Sequence, residues 1–224
     1  MHEQISQALD KPTLSQPGLL VMDVDSTLID EEVIDQLGKE AGVGARIADI
    51  TARTMAGELD FCQALRARVA LLEGMDVAVF DAVYATLHFT TGALELVETL
   101  HRHGWKVGVV SGGFHETVDR LAQEAQLDHW LANRLDVRDG RLTGEVLGDI
   151  VCRTTKEQAL RSWAREDGVA AGQTVAVGDG ANDIPMIRRA ALGVAFCAKP
   201  AVREVADAAI TTRDLRLVLD LLRG

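Results

Sequence analysis

The 224 residues include 23 lysines and arginines against 34 aspartates and glutamates, a formal net charge of −11, with 47% hydrophobic and 25% charged residues. That length supports one domain, or a core with an insertion, and burial of roughly 70% of the unfolded surface without disulfide or metal staples. The acidic balance excludes non-specific binding to nucleic acid or an anionic membrane, and no apolar run approaches the ~20 residues of a membrane helix.

Residues 1–17 are polar, with a short helix possible at 3–10 and a Ser/Thr-containing linker bracketed by Pro12 and Pro17. They hold neither the basic nor the apolar region of a secretory signal. Cys62, Cys152 and Cys197 are isolated, which fits reduced thiols better than a disulfide framework. A cytoplasmic, soluble protein is expected.

The stretch 18–27, GLLVMDVDST, takes a four-residue apolar run into two aspartates. The run has the length of one buried strand. Asp23 and Asp25 are two residues apart, so in an extended chain they leave the same face. Two carboxylates at the mouth of a buried strand are costly unless a cation joins them, and a hard metal ion suits them.

Residues 30–90 then read as helical throughout, with turns around Val33, Ile34 and Leu37 and further runs at about 45–56, 60–72 and 76–87. In the third run Phe61, Leu65 and Leu72 share one face, and Arg68 falls in the middle of that stripe while Arg66 points away. A guanidinium on an apolar face forms a structural ion pair, snorkels past the edge, or binds an anion. Beside an anion site the last reading is favoured.

From Gly92 the pattern becomes helix 93–103, strand 105–110, the turn Ser111-Gly112-Gly113, and a helix at about 114–126. A small-residue turn at a helix N-terminus binds phosphate, although many such turns are merely tight. A short strand is expected at 129–132 and a hairpin over 133–146 around Asp139-Gly140. Thr154 with Glu157, and Thr155 with Gln158, match capping-box spacing, so a helix begins near 155. Lys156 in its first turn is either a tolerated exposed lysine or a lysine aimed, with the helix start, at an anion.

At 174–187, TVAVGDGANDIPMI, a second apolar strand ends in acids. Asp183 has an N-cap reading; Asp179, between two glycines, has none. Neither acidic cluster carries the Gly and Glu positions of an EF-hand. Strands at 192–197 and 208–211 and an amphipathic helix over 213–223 complete the chain.

Strands alternating with helices predict an α/β fold, a doubly wound parallel sheet whose ligands bind beyond the carboxyl ends of the strands. Asp23, Asp25, Ser111, Lys156, Asp179 and Asp183 converge there. Acids alone suggest a metal; Lys, Ser and a Gly-rich turn add an anion, and a divalent metal bridging carboxylates and a phosphate joins the two.

DVDST at 23–27, the strand ending at Ser111, Lys156, and GDGAND at 178–183 stand in the order of the four motifs of the haloacid-dehalogenase-like (HAD) superfamily, which the sequence resembles. Within it the chain is similar to the phosphoserine phosphatase family, through SGGF at 111–114, NRL at 133–135, DG-x-LTG at 139–144, AFCAKP at 195–200 and the arginines at 66 and 68. The resemblance implies a Rossmann-like core of residues 18–29 and 91–224 with a helical cap, 30–90, inserted after the first strand. It implies Mg2+-dependent hydrolysis of O-phosphoserine, the last step of serine biosynthesis. Asp23 would be the nucleophile and Asp25 the acid and base. Asp23, the Asp25 main-chain carbonyl and Asp179 would hold Mg2+, with Asp183 behind them orienting a water. Ser111, Gly112, Lys156 and Asn182 would hold the phosphoryl group, Glu32 the substrate ammonium and Arg68 its carboxylate, with Met55 and Phe61 as apolar walls. The 17-residue extension is shorter than the regulatory domain of some relatives, so feedback through such a domain is not expected. Another small phosphomonoester, such as phosphohomoserine, is the alternative substrate, to be decided by the cap. A receiver-type signalling domain is excluded because it would be about half this length and would lack the helical insertion. The complete acidic set argues against a silent scaffold.

Overall fold

The computed structural model describes residues 11–55 (Met55 by its backbone) and 58–222; the helix expected at 3–10 lies outside them. Seven strands, β1 (Leu19–Met22), β2 (Lys106–Phe114), β3 (His129–Arg138), β4 (Arg141–Leu147), β5 (Thr174–Gly178), β6 (Leu192–Phe196) and β7 (Ala208–Ile210), form one sheet in the order β4-β3-β2-β1-β5-β6-β7. All neighbours are parallel except the β3–β4 hairpin. β1 lies at the centre, pairing Leu19 with Lys106 on one side and with Thr174 on the other.

Its four residues are fully buried, and their alternation feeds two cores. Leu20 and Met22 pack with Val107, Val109, Val175 and Val177 on one face. There they meet helices α5 (Ala93–Arg102) and α6 (His115–Glu124). Leu19 and Val21 pack on the other face with Ala176 and Ala195. That face is covered by α7 (Arg153–Glu166), α8 (Ile184–Arg189) and α9 (Pro200–Arg203). An apolar run without alternation is what a strand covered on both faces requires. No helix among the described residues is long and apolar enough to cross a membrane.

Between β1 and α5 the chain builds the helical cap from α1 (Val33–Glu40), α2 (Gly44–Met55), α3 (Phe61–Ala70) and α4 (Val79–Tyr84). The outgoing and returning segments pair where they pass. Ile29 bridges Phe89, the Asp30 N–H donates to His88 O at 3.0 Å, and the Thr90 N–H donates to Leu28 O at 2.9 Å. Arg213 clasps this crossing, donating to Asp30 Oδ1 at 2.9 Å and to Ser26 O at 3.2 Å. At the far end the β3–β4 hairpin holds the cap through Gly74 N–H to Leu142 O and Leu142 N–H to Met75 O, both 2.8 Å, and Val77 N–H to Gly140 O at 3.0 Å.

Four elements differ from the expectations. The run at 76–87 yields only α4: before it the Val77 N–H bonds Gly140 O of the hairpin, and after it the Thr86 and Leu87 N–H groups close tight turns on Val83 O and Tyr84 O. The strand at 129–132 and the hairpin's first arm are one strand, β3. β2 continues through Ser111-Gly112-Gly113 to Phe114, with a register shift between Val110 and Phe114, so that turn is an irregular strand end and α6 starts only at His115. The final amphipathic segment is a 3-10 helix, Leu215–Leu221; Leu215 and Val218, both buried, sit three apart, which suits three residues per turn.

β6 passes so close to the C-terminal end of α8 that a Cβ on Gly193 would overlap the Ile187 carbonyl oxygen. Gly193→Ala should therefore lower unfolding stability by about 1–3 kcal/mol through overpacking. Urea denaturation checks this, and an unchanged midpoint would mean that α8 yields without cost.

Candidate active site

The carboxyl ends of β1, β2 and β5 bring polar side chains together. β1 stops at Met22, so Asp23 and Asp25 do not share a strand face as the extended-chain reading supposed. Instead Val24–Leu28 form a π-type turn closed by Ile29 N–H to Val24 O, with Ser26 at φ 57. The turn sends Asp23 into the sheet and Asp25 toward the cap.

Asp23 is buried, and its Oδ1 accepts twice, from the Val24 N–H at 2.7 Å and from Lys156 Nζ at 2.8 Å. Lys156, fully buried, also reaches Asp183 Oδ1 at 2.7 Å. Its helix starts earlier than the threonine spacing suggested. Cys152 is the N-cap of α7, with Thr155 Oγ1 accepting from the Cys152 N–H at 3.3 Å. An ammonium has three donors; two are spent on carboxylates, leaving one for a ligand.

Asp183 occupies the N-cap position of α8 but makes no capping bond to that helix. It is fully buried, and its Oδ2 accepts from the Asp179 N–H at 3.2 Å and the Gly180 N–H at 3.0 Å. One carboxylate thus shapes the Gly178–Gly180 turn and holds Lys156. Asp23, Asp179 and Asp183 each offer an oxygen within 4.8 Å of the others, an all-oxygen set that fits a hard divalent cation. The Asp25 carboxylate is not in that group.

Asp25 instead borders the β2 end. A Cβ on Gly113 would stand 3.1 Å from Asp25 Oδ2 and 3.0 Å from Ser111 Oγ, a tight fit on both sides. Ser111 is fully buried and its Oγ accepts from the Gly113 N–H at 2.8 Å. Gly112 lies under Phe61 of the cap, whose Cζ would be 2.6 Å from an added Cβ. Asn182 is half-buried with its Oδ1 against Gly180. The Met55 side chain lies outside the described residues.

On the cap, Glu32 sits at the N-cap of α1 without a capping bond; its Oε1 accepts from Ser26 Oγ at 2.8 Å. Arg68 is half-buried, its Nε donating to Ala64 O at 3.3 Å. Its Nη atoms make no hydrogen bond or ion pair among the described residues. Burial lowers its pKa, against the pull of Glu32, Asp35 and Asp25. Arg66 is exposed.

Burial pushes the Asp23 carboxyl up to about 8, aided by the Asp183 charge and opposed by Lys156. Asp25 rises well above the usual carboxylate range, by burial and then by the charges of Glu32 and Asp23. Asp179 rises to about 6, from burial and Asp183. Such shifts gather where charge is to be managed.

A family model described as haloacid dehalogenase-like hydrolase matches residues 20–188. This chain belongs to the haloacid dehalogenase-like hydrolases. Within the family it falls with the phosphoserine phosphatases. The phosphoserine phosphatase of Streptococcus thermophilus is 60% identical over 205 residues, covering 92% of this chain and 95% of that one. A solved phospho-aspartyl intermediate analogue of phosphoserine phosphatase aligns with a TM-score of 0.88 at 42% identity, over 93% of this chain and 100% of the other. A substrate-bound phosphoserine phosphatase complex gives 0.88 at 41%, over 93% and 99%.

Two residues beside this haloacid dehalogenase-like site are given no role by the sequence, although Asn133 stands in the NRL stretch at 133–135. Asn133, from β3, bonds the Gly112 and Gly113 carbonyls, and Arg213 holds the Ser26 carbonyl from the end of the chain. Both act across long sequence separations, which periodicity does not register.

With its carboxyl raised to about 8 when folded and ordinary at 3.8 when unfolded, Asp23 binds more proton in the folded state between those values. Stability of the chelator-treated protein therefore falls as pH rises through that window. A divalent cation should raise the melting temperature more at about pH 8 than at about pH 5, where it competes with the proton. Thermal scans test this; equal shifts at both would mean that Asp23 is ionised throughout.

Proposed function

We propose that this chain hydrolyses O-phosphoserine to serine and phosphate, with Mg2+, through an aspartyl-phosphate formed on Asp23. The observation that carries the reading is the asymmetry of Asp23. Its Oδ1 is held by Lys156 and the Val24 N–H, while its Oδ2 makes no hydrogen bond among the described residues. A carboxylate fixed by one oxygen and free at the other is oriented for attack.

In the first step an Asp23 oxygen bonds to phosphorus and the bond from phosphorus to the serine oxygen breaks. Asp25, protonated because burial and its acidic neighbours raise its pKa, gives its proton to the leaving oxygen. In the second step Asp25 takes a proton from water as that water attacks the phosphorus. The bond to Asp23 then breaks and phosphate leaves. Ser111, the Gly112 N–H, Lys156 and Asn182 meet the charge that develops on the phosphoryl oxygens. Bound Mg2+ supplies positive charge that offsets repulsion between the Asp23 anion and the phosphate. It would be held by Asp23, the Asp25 main-chain carbonyl and Asp179, with Asp183 behind them orienting a water.

The core, 18–29 and 91–224, thus performs the chemistry, and the cap, 30–90, performs the selection. The uncommitted guanidinium nitrogens of Arg68 suit a carboxylate, which Arg grips bidentately, and Glu32 suits an ammonium. Closure of the cap keeps bulk water from the acyl phosphate. A small phosphomonoester is the partner this pocket accommodates.

Phosphate release from a panel of phosphomonoesters, with Mg2+ or with EDTA, tests the reading. Asp23→Asn should lower turnover by more than about a thousandfold. Appreciable residual activity would move the nucleophile elsewhere, and equal activity with EDTA would sink the metal assignment.

Arg68→Ala should cost about 1.5–3 kcal/mol in kcat/KM for phosphoserine, the worth of a hydrogen bond to a charged group. Phosphoethanolamine, which lacks the carboxylate, should be nearly unaffected. An unchanged preference between the two would remove Arg68 from substrate recognition, and a preference for phosphohomoserine would transfer the assignment to that ester.

A further inference from the structure

Asn133 is 2% exposed, in β3, adjacent to β2, whose irregular end carries Ser111. Its carboxamide is fully engaged. Nδ2 donates to Gly112 O at 2.8 Å and to Gly113 O at 3.2 Å, and Oδ1 accepts from the Val151 N–H at 2.8 Å. The amide cannot be turned over, since the exchange would set an oxygen against two carbonyls and an NH2 against an N–H.

The peptide joining Gly112 to Gly113 gives its carbonyl to Asn133 and its N–H to Ser111 Oγ, the latter at 2.8 Å. Because the serine oxygen already accepts that bond, its own proton is available to a ligand. Two consecutive glycines have little conformational preference, so this peptide plane needs an anchor outside the turn. On its other side, Asn133 holds Val151, the residue before Cys152, which caps the helix carrying Lys156. One side chain therefore sets the hydroxyl and the ammonium of the phosphate site in a common frame.

We propose that Asn133 is a positioning residue for phosphoryl transfer: its carboxamide fixes the Gly112–Gly113 peptide so that the Ser111 hydroxyl donates toward the phosphoryl group, and it ties that turn to the origin of the Lys156 helix. This rests on the phosphatase function proposed above.

The test uses the full chain with Mg2+, comparing wild type with Asn133→Ala and Asn133→Asp. The aspartate keeps the volume and the acceptor for Val151 but sets a carboxylate against two carbonyls. Both variants should lose up to about a hundredfold in kcat, as a displaced reacting frame does. KM should stay within about threefold, because the loss falls on the transition state. Inhibition by orthovanadate, a phosphoryl-transfer mimic, should weaken by a factor similar to the loss in kcat. In a Ser111→Ala background, Asn133→Ala should cost much less than in wild type, since the two act as a unit. A lowered melting temperature with kcat within about twofold of wild type, or additive losses in the double variant, would reduce Asn133 to a structural role and overturn the proposal. Where the alanine variant does not fold, Asn133→Ser carries the same comparison. If wild type prefers another phosphomonoester, the substrate assignment fails by itself, and the Asn133 comparison is made on that ester with the same criteria.

Discussion

Lys156 stands fully buried between two carboxylates, and the site is built outward from that contact. Asp23 follows β1, Asp183 precedes α8 and Lys156 lies near the start of α7. An unpaired ion in such a place costs several kcal/mol, so the three charges oblige the three elements to meet. With Asp179 the cluster holds three carboxylates against one ammonium, a deficit that a divalent cation fills. The chain's −11 does not oppose an anionic ligand here. Charges beyond a Debye length of about 8 Å are largely screened, and at close range the ligand meets the lysine, the metal and backbone N–H groups.

The same surroundings divide two chemically identical groups. Asp23 and Asp25 are both raised by burial, yet only Asp23 touches an ammonium, and only its carboxylate belongs to the cluster that fits a cation. Asp25 faces Glu32 across the turn. A cation therefore ionises the first far more than the second. Carboxyls driven apart in proton affinity are what a nucleophile and a proton donor require.

Much of this was written plainly in the sequence, and the reasons are local. β1, β5 and β6 are short apolar runs, the first two ending at aspartate or glycine, and their burial on both faces leaves no alternation to confuse them with surface strands. Arg68 betrayed itself by interrupting an apolar stripe. What escaped was decided by partners distant along the chain. The segment before α4 is drawn out of helix by a hairpin more than sixty residues later, which takes the Val77 N–H. Cysteine is not among the preferred N-cap residues, so the start of α7 at Arg153 was displaced toward the threonines. The Ser111 turn reads as a helix entrance because nothing adjacent reveals the β3 side chain that holds it.

That hairpin also touches both the cap helix that carries Arg68 and the turn that carries Ser111. β3 carries Asn133, which grips the Ser111 turn. β4 carries Gly144, which approaches α3 so closely that an added Cβ would stand 3.3 Å from Ala70 Cα, two residues past Arg68. On the outer side of the cap, Tyr84 donates to Glu124 Oε2 at 2.7 Å while Arg120 stacks on its ring at 3.8 Å, fastening α4 to α6. The paired segments at Ile29 and Phe89, clasped by Arg213, close the remaining corner. A ligand with an anion at each end must find both receptors at a fixed separation. Under the proposed function those receptors are the Ser111 turn and Arg68, and each lies against a strand of one hairpin, so the β3–β4 ladder ties them together.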